Sequence, residues 1–194
     1  TGPIASLTTP FYILREAWNI LNAIAEGKIE SGDEKKLNAL KGETMAVIAL
    51  CQFDLTRCFG YPYTKDNGAS LGAPLIDHLV GTYENPSRST VAQAYDFIIE
   101  TLEEAVTLMS EEKNNGRMNK YAARALLARV YLYHNDNRKA FDMAEQLIKD
   151  VDASGSYALY PHEKYVAAWS VETKFGSESF FEIANSVDDT PGRD

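Results

Sequence analysis

The stretch that decides the fold is Asn119 to Lys149, NKYAARALLARVYLYHNDNRKAFDMAEQLIK. Its first half carries apolar residues at spacings of three and four, which places them on one face of a helix. The second half repeats this pattern after the polar turn at 135–137. Two amphipathic helices joined by a short polar turn pack their apolar faces together as a helical hairpin. Four residues have the separations typical of a tetratricopeptide repeat: Leu127, Ala128, Tyr131 and Ala140.

Two helices are predicted near the start of the chain. The first begins at Thr9-Pro10, because proline suits the first turn of a helix, and its apolar face continues as far as Gly27. The second begins at a capping-box pair, Ser31 and Glu34, and ends at Gly60. It contains Gly42, which we expect to allow close contact with a neighbouring helix. Glu43 beside it is a candidate for a buried polar contact.

One more helix is predicted between this pair and the hairpin. It begins at a second capping box, Thr90 and Gln93. Beyond the hairpin, a further short helix over 162–171 and a short strand or buried tail at 179–183 are expected. The predicted fold is therefore all-α: one domain over residues 1–194, with tetratricopeptide-like hairpins stacked as a short right-handed solenoid and a long irregular loop at 61–89.

Composition and charge exclude several classes of protein. The chain of 194 residues has a net charge of -9, whereas a protein that binds nucleic acid needs a basic surface. No apolar run approaches the roughly 20 residues of a membrane-spanning helix. The three histidines lack metal-ligand spacing, so no metal or cofactor is expected. Cys51 and Cys58, two helical turns apart, are predicted to be small packing residues.

The loop at 61–89 holds most of the candidate binding residues, because it mixes aromatic side chains with amide and carboxylate groups. A sugar-capture site needs flat rings on which sugars stack, flanked by hydrogen-bonding groups. The candidate ligand-binding residues are Tyr61, Tyr63, Tyr83, Asp66 and Asn67, with Asn85 in the same loop and Trp169 outside it. The competing interpretation is that the tyrosines and Trp169 pack onto the helices, with the tyrosine hydroxyls in water.

A series of motifs resembles the SusD/RagB-like family. The segment Gly42 to Gly60, with Gly42-Glu43, Phe53-Asp54-Leu55 and Phe59-Gly60, is similar to the family's GEAR-FLRA-YYFDLVRLFG signature, although Met45 and Ile48 stand where the family usually has arginines. Further similar stretches follow in the family's order: 72–76, 89–105, Gly116 to Leu132 and ESFFEI at 178–183. The resemblance covers about Asp33 to Ile183.

The resemblance implies a non-catalytic lipoprotein of the Bacteroidetes outer membrane that is exposed at the cell surface. Such proteins capture glycans or other nutrients for polysaccharide utilisation, together with a SusC-like, TonB-dependent transporter. The family's proteins are longer, so the chain is expected to be the helical portion, without the N-terminal lipid anchor and the C-terminal half.

Two other functions remain open at this point. Helical repeats also serve as protein–protein interaction adaptors, which present a concave groove to a peptide. A glycoside hydrolase would need two carboxyl groups that face each other at a defined separation, and no pair is singled out by its position in this sequence. We therefore expect a binding protein rather than an enzyme.

Overall fold

The computed structural model describes residues 4–29, 32–168 and 175–183. Six α-helices lie in these ranges: α1 (Ile4–Ala25), α2 (Glu34–Phe59), α3 (Val91–Leu108), α4 (Lys120–Tyr133), α5 (Asn137–Ser154) and α6 (Tyr165–Ala168). Short 3-10 turns are present at Tyr63–Lys65 and His162–Lys164. Two strands, β1 (Leu71–Pro74) and β2 (Arg88–Thr90), form an antiparallel pair.

The five long helices form an array in which each helix packs against the next one along the chain. The main core lies between α2, α3 and α4, where Phe53, Ile98, Leu102, Leu127 and Val130 are almost completely buried. The predicted hairpin at 119–149 is confirmed as α4 and α5, and α5 continues to Ser154. The all-α prediction is therefore confirmed.

Two predicted helix starts are wrong. Helix α1 begins at Ile4, so Pro10 lies inside the helix and does not open it. Helix α2 is capped by Asp33, whose carboxylate accepts from the backbone N–H groups of Lys35 and Lys36. The predicted cap, Ser31, lies outside the described residues. A carboxylate at this position also interacts favourably with the positive end of the helix dipole.

Two other local predictions, one about a helix cap and one about a contact between helices, are confirmed. Thr90 and Gln93 form a reciprocal capping box at the start of α3. Gly42 lies against α3: a Cβ atom there would be 2.7 Å from Met109 Cγ and 2.9 Å from the Ala105 carbonyl oxygen. The glycine therefore sets how closely α2 and α3 approach each other.

The segment 61–89 is more ordered than the irregular loop that was predicted. Pairing of β1 with β2 places Leu71 opposite Thr90 and Pro74 opposite Arg88. The buried amide of Gln52 on α2 donates to the Pro74 carbonyl at 3.1 Å and accepts from the Ile76 N–H at 3.2 Å. The Trp18 indole N–H of α1 donates to the Ile76 carbonyl at 3.1 Å. These bonds fasten the middle of the segment to α1 and α2.

The remaining predictions concern single residues and the C-terminal part. Cys51 is buried as expected, but Cys58 is exposed near the end of α2, so its prediction as a packing residue is wrong. Helix α6 falls within the short helix expected at 162–171. Residues 179–183 form no strand; the Phe180 ring packs edge-on against Tyr157, with 4.9 Å between ring centroids.

Candidate functional site

The first part of the segment, residues 61–70, is a tight turn that begins where α2 ends. Asn67 and Gly68 both have positive φ values, 53° and 74°. The Asp66 carboxylate accepts from the Ser70 hydroxyl, and this hydrogen bond is the main reason that the pKa of Asp66 is lowered. The Gly68 carbonyl accepts from the Ala92 N–H at 2.9 Å, which ties the turn to the start of α3. Asp66 and Asn67 are therefore held in defined positions.

The two tyrosines of this turn point in different directions. Tyr61 is 57% exposed, and the Lys65 ammonium group lies 3.0 Å from its ring centroid, so that one face of the ring is covered. Tyr63 packs inward, with its ring centroid 5.7 Å from that of Tyr95 and 4.2 Å from the His134 ring. For Tyr63 the packing interpretation fits the geometry better than stacking on a ligand.

Tyr83 lies on a second turn, at 81–84, where it is 96% exposed. Glu84 closes this turn: its N–H donates to the Gly81 carbonyl and its carboxylate accepts from the Gly81 N–H, both at 3.1 Å. Neither Tyr83 nor any residue of the 61–70 turn lines the groove beside α3 or the apolar cavity next to His78, both described below. Trp169 lies outside the described residues.

An open polar groove of about 750 Å³ separates residues 84–89 from one face of α3. On the loop side it is lined by Asn85, Ser87, Arg88 and Ser89, with Glu84 and His78 at one end. On the helix side it is lined by Gln93, Asp96, Phe97 and Glu100. We refer to this surface as the α3 groove.

The residues on the helix side were missed in the sequence analysis, although a signal for them was present. Gln93, Asp96, Phe97 and Glu100 recur at intervals of three and four, which is the spacing of a single helix face. The surface that this polar stripe of α3 faces depends on the position of residues 84–89. Local periodicity in the sequence does not predict that position.

The hydrogen bonds of the α3 groove divide its polar groups into two sets. Arg88 donates to the carbonyls of Gly72 at 2.7 Å and Leu71 at 3.0 Å, so its guanidinium holds β2 against β1. Asp96 and Glu100, by contrast, form no ion pair with any residue in the described ranges. Both are exposed, and Phe97 between them is half-buried. The groove thus offers free carboxylate acceptors beside an aromatic ring.

His78 forms one end of the α3 groove and is held between two carboxylates. Its ring nitrogens lie 2.7 Å from Asp77 Oδ1 and 2.7 Å from Glu84 Oε1. These two hydrogen bonds, first Asp77 and then Glu84, raise the pKa of His78. On its other side His78 borders a smaller apolar cavity of about 320 Å³, which Phe11, Tyr12 and Val80 also line.

Two further properties of the described residues bear on the class of protein. No helix among the described residues is long and apolar enough to span a bilayer. Within the same ranges, no group of three or more His, Cys, Asp or Glu side chains is arranged to hold a metal ion. What the geometry defines is an array of helical hairpins with an open, polar groove on one side.

Comparison with known proteins places this array in a family. Residues 4–132 match the SusD-like family described as "Starch-binding associating with outer membrane". A SusD superfamily protein from Bacteroides vulgatus is 95% identical with a TM-score of 0.91, over 95% of this chain and 41% of that one. A second, from Bacteroides thetaiotaomicron, is 39% identical with a TM-score of 0.88, over 95% of this chain and 39% of that one. The chain belongs to the SusD-like family.

A third structure has the same fold at a lower sequence identity. A SusD-like carbohydrate-binding protein from Bacteroides vulgatus is 23% identical with a TM-score of 0.77, over 92% of this chain and 36% of that one, and at this identity the likeness concerns the fold alone. No curated protein sequence matches the chain. The chain spans about two fifths of the length of the solved structures it resembles.

Proposed function

We propose that the chain is the helical part of a non-catalytic protein that binds glycans at the cell surface and passes them to a TonB-dependent transporter. The single observation that carries this proposal is the α3 groove within a SusD-like fold. It combines carboxylate, amide, hydroxyl and guanidinium groups with one aromatic ring. Sugars present many hydroxyl groups and flat C–H faces, which this mixture of groups complements.

The chemistry of binding follows from the free acceptors. Asp96 and Glu100 would accept hydrogen bonds from sugar hydroxyls, and bonds to a charged acceptor are stronger than neutral ones. Phe97 would pack against the face of a sugar ring. Because the groove is open, each contact competes with water, so we expect weak binding and ready release. Ready release suits a protein that hands its ligand to a transporter.

The 61–70 turn is the second candidate contact surface. Tyr61 has an exposed ring, and Asp66 and Asn67 lie on the same turn in fixed positions. Tyr83, almost fully exposed on the 81–84 turn, would flank a ligand that leaves the α3 groove at its Glu84 end. In this arrangement Tyr63 contributes only by supporting the turn.

The location and the transporter form the remaining part of the proposal. Membership of a family described as associating with the outer membrane supports a location at that membrane. The lipid anchor and the outward-facing orientation are what the resemblance to SusD/RagB-like proteins implies. A SusC-like transporter is the partner that such a protein would serve. Copurification of the full-length protein with a TonB-dependent transporter, after mild detergent extraction of membranes, would support this handover. Full recovery in the soluble fraction would contradict it.

Native affinity electrophoresis against a panel of soluble polysaccharides tests the binding step, since a chain with a net charge of -9 migrates readily. Retardation should be reduced in an Asp96→Asn/Glu100→Gln variant. The matched control is Asp142→Asn/Glu145→Gln, which makes the same charge change on exposed ion pairs of α5. Single Tyr61→Ala and Tyr83→Ala variants locate further contacts. Release of reducing ends from any retarding polysaccharide would contradict the absence of catalysis.

A further inference from the structure

The last turns of α2 and α4 lie side by side and bring two arginines around one tyrosine. Arg57 on α2 has its guanidinium carbon 4.8 Å from the Phe53 ring centroid and 5.5 Å from that of Tyr133. Arg129 on α4 has its guanidinium carbon 5.9 Å from each of the same two rings. The Phe53 and Tyr133 rings pack edge-on at 5.4 Å. We call Arg57, Arg129 and Tyr133 the arginine cluster.

The arginine cluster holds more hydrogen-bond donors than acceptors. Arg57 gives one N–H to Asp54, at 2.5 Å, while its buried Nε–H has no acceptor among the residues that the structure describes. Arg129 forms no ion pair with a carboxylate in the part of the chain that the structure describes. Each guanidinium carries five N–H donors in a fixed plane. Two guanidiniums and one carboxylate leave a net positive charge here, on a chain whose net charge is -9.

Two other arginines of the chain each form an ion pair with a carboxylate. Arg124 pairs with Asp150 at 2.7 Å, and Arg138 pairs with Asp142 at 2.8 Å. The negative ends of α2 and α4 favour nearby cations, which explains why arginines are tolerated at these positions. It does not supply an acceptor for the N–H groups that remain. Hydrogen bonds from Arg57 and then from Arg129 lower the pKa of Tyr133, so its phenol oxygen accepts from both guanidiniums, and N–H donors of each remain.

We propose that the arginine cluster binds the carboxylate of an acidic sugar, such as a uronic acid. A carboxylate is planar and accepts two parallel N–H bonds, which matches the fork of a guanidinium. Tyr133 is 43% exposed, so its ring is open to contact with the body of the sugar. The inference rests on the proposed function only in taking a saccharide as the ligand. None of its three residues lines the α3 groove.

Isothermal titration calorimetry with trigalacturonate at low ionic strength tests this inference. We expect Arg129→Gln to bind at least about tenfold more weakly than the native chain, since it loses charge-assisted bonds. Arg138→Gln, which removes the same charge from an exposed position on α5, should leave the affinity unchanged. Arg129→Lys should recover only part of the loss, because an ammonium keeps the charge without the bidentate geometry. Circular dichroism confirms that each variant is folded.

Three comparison ligands and one further variant complete the design. Galactotriose and acetate should each bind at least about tenfold more weakly than trigalacturonate, because each lacks either the carboxylate or the sugar. Equal affinity of native and Arg129→Gln protein for trigalacturonate would overturn the inference. Equal binding of a hexaglutamate peptide would overturn it in favour of a protein partner. Asp96→Asn/Glu100→Gln should affect neutral glycans alone, so a failure of the α3 groove and a failure of the arginine cluster give different results.

Discussion

Arg117, just before α4, donates its Nε–H to the Glu43 carboxylate of α2 at 2.8 Å. The second oxygen of that carboxylate accepts from the Met118 N–H at 3.0 Å. Glu43 is 17% exposed, so these bonds are shielded from solvent to a considerable extent. One carboxylate on α2 thus fixes the start of the hairpin that carries the tetratricopeptide pattern. Glu43 therefore has a polar partner across the helices, as predicted for its position beside Gly42, but the contact is only partly buried because Arg117 is 50% exposed.

Glu43→Ala should lower the free energy of unfolding by about 1–3 kcal/mol, because it leaves a backbone N–H and a guanidinium without their acceptor. Urea denaturation followed by circular dichroism measures this loss. Glu104→Ala is the control: Glu104 pairs with Lys41 between α3 and α2, but it is 54% exposed. An exposed pair is worth only about 0–1 kcal/mol. Equal losses in the two variants would show that Glu43 does not organise the hairpin.

Gly42→Ala should destabilise the chain, although alanine normally favours a helix over glycine by about 1 kcal/mol. The added methyl group would lie 2.7 Å from Met109 Cγ and 2.9 Å from the Ala105 carbonyl oxygen, so α3 must move away. We expect a net loss of about 1–3 kcal/mol, as for other overpacked sites. Gly32→Ala, where a Cβ would meet nothing within 4 Å, should be close to neutral. Thermal unfolding of both variants distinguishes these outcomes, and a stabilised Gly42→Ala would refute the close approach of α2 and α3.

Tyr61→Ala and Tyr63→Ala should differ in stability although both change the same turn. Tyr63 packs against Tyr95 and His134, so its removal should cost about 2–3 kcal/mol through lost packing. Tyr61 is 57% exposed and contacts Lys65, so its removal should cost less than about 1 kcal/mol. Differential scanning calorimetry measures both. If Tyr63→Ala melts at the native temperature, then Tyr63 is not a packing residue and returns to the candidate contacts for a ligand.

The stability of the segment 77–84, which ends in the 81–84 turn, should depend on pH through His78. Its pKa is raised by Asp77 and Glu84, so the charged imidazole is more stable in the folded chain than in the unfolded one. The stability that it contributes is fully present below the ordinary histidine pKa of about 6.5 and is lost as the pH rises through the folded value. The pKa of Glu84 is lowered, first by the Gly81 N–H and then by His78, so its own contribution is lost as the pH falls through that lowered value.

Titration of the histidine Cε1 protons by nuclear magnetic resonance measures this effect. In the native chain the His78 signal should titrate above the ordinary histidine value, and in a Glu84→Gln variant it should titrate at lower pH. The His78→Gln variant assigns the signal by its disappearance. A His78 midpoint that does not change in Glu84→Gln would show that the two side chains are not paired in solution.

Local patterns in the sequence were sufficient for the helices and for some of their ends. The capping box of Thr90 and Gln93 depends on residues close in the chain and forms as predicted. Gly42 allows the predicted close contact, but its partners Ala105 and Met109 are distant in the chain and are known only from the tertiary structure. The predicted start of α1 at Thr9-Pro10 is wrong, because the helix already begins at Ile4 and continues through Pro10. The cap of α2 is Asp33 because its carboxylate reaches the first free N–H groups of that helix.

The class of fold and the series of helices thus follow from the sequence, since helical periodicity and caps are set by interactions over a few residues. The meeting of side chains from distant elements follows from the tertiary structure alone. It placed residues 84–89 opposite the polar face of α3, and it brought Arg57 beside Arg129 around Tyr133. The physical reason is that such encounters depend on how whole helices pack and on where the 61–89 segment is fastened. Gln52 and Trp18 supply that fastening from two other helices, through hydrogen bonds that no local pattern encodes.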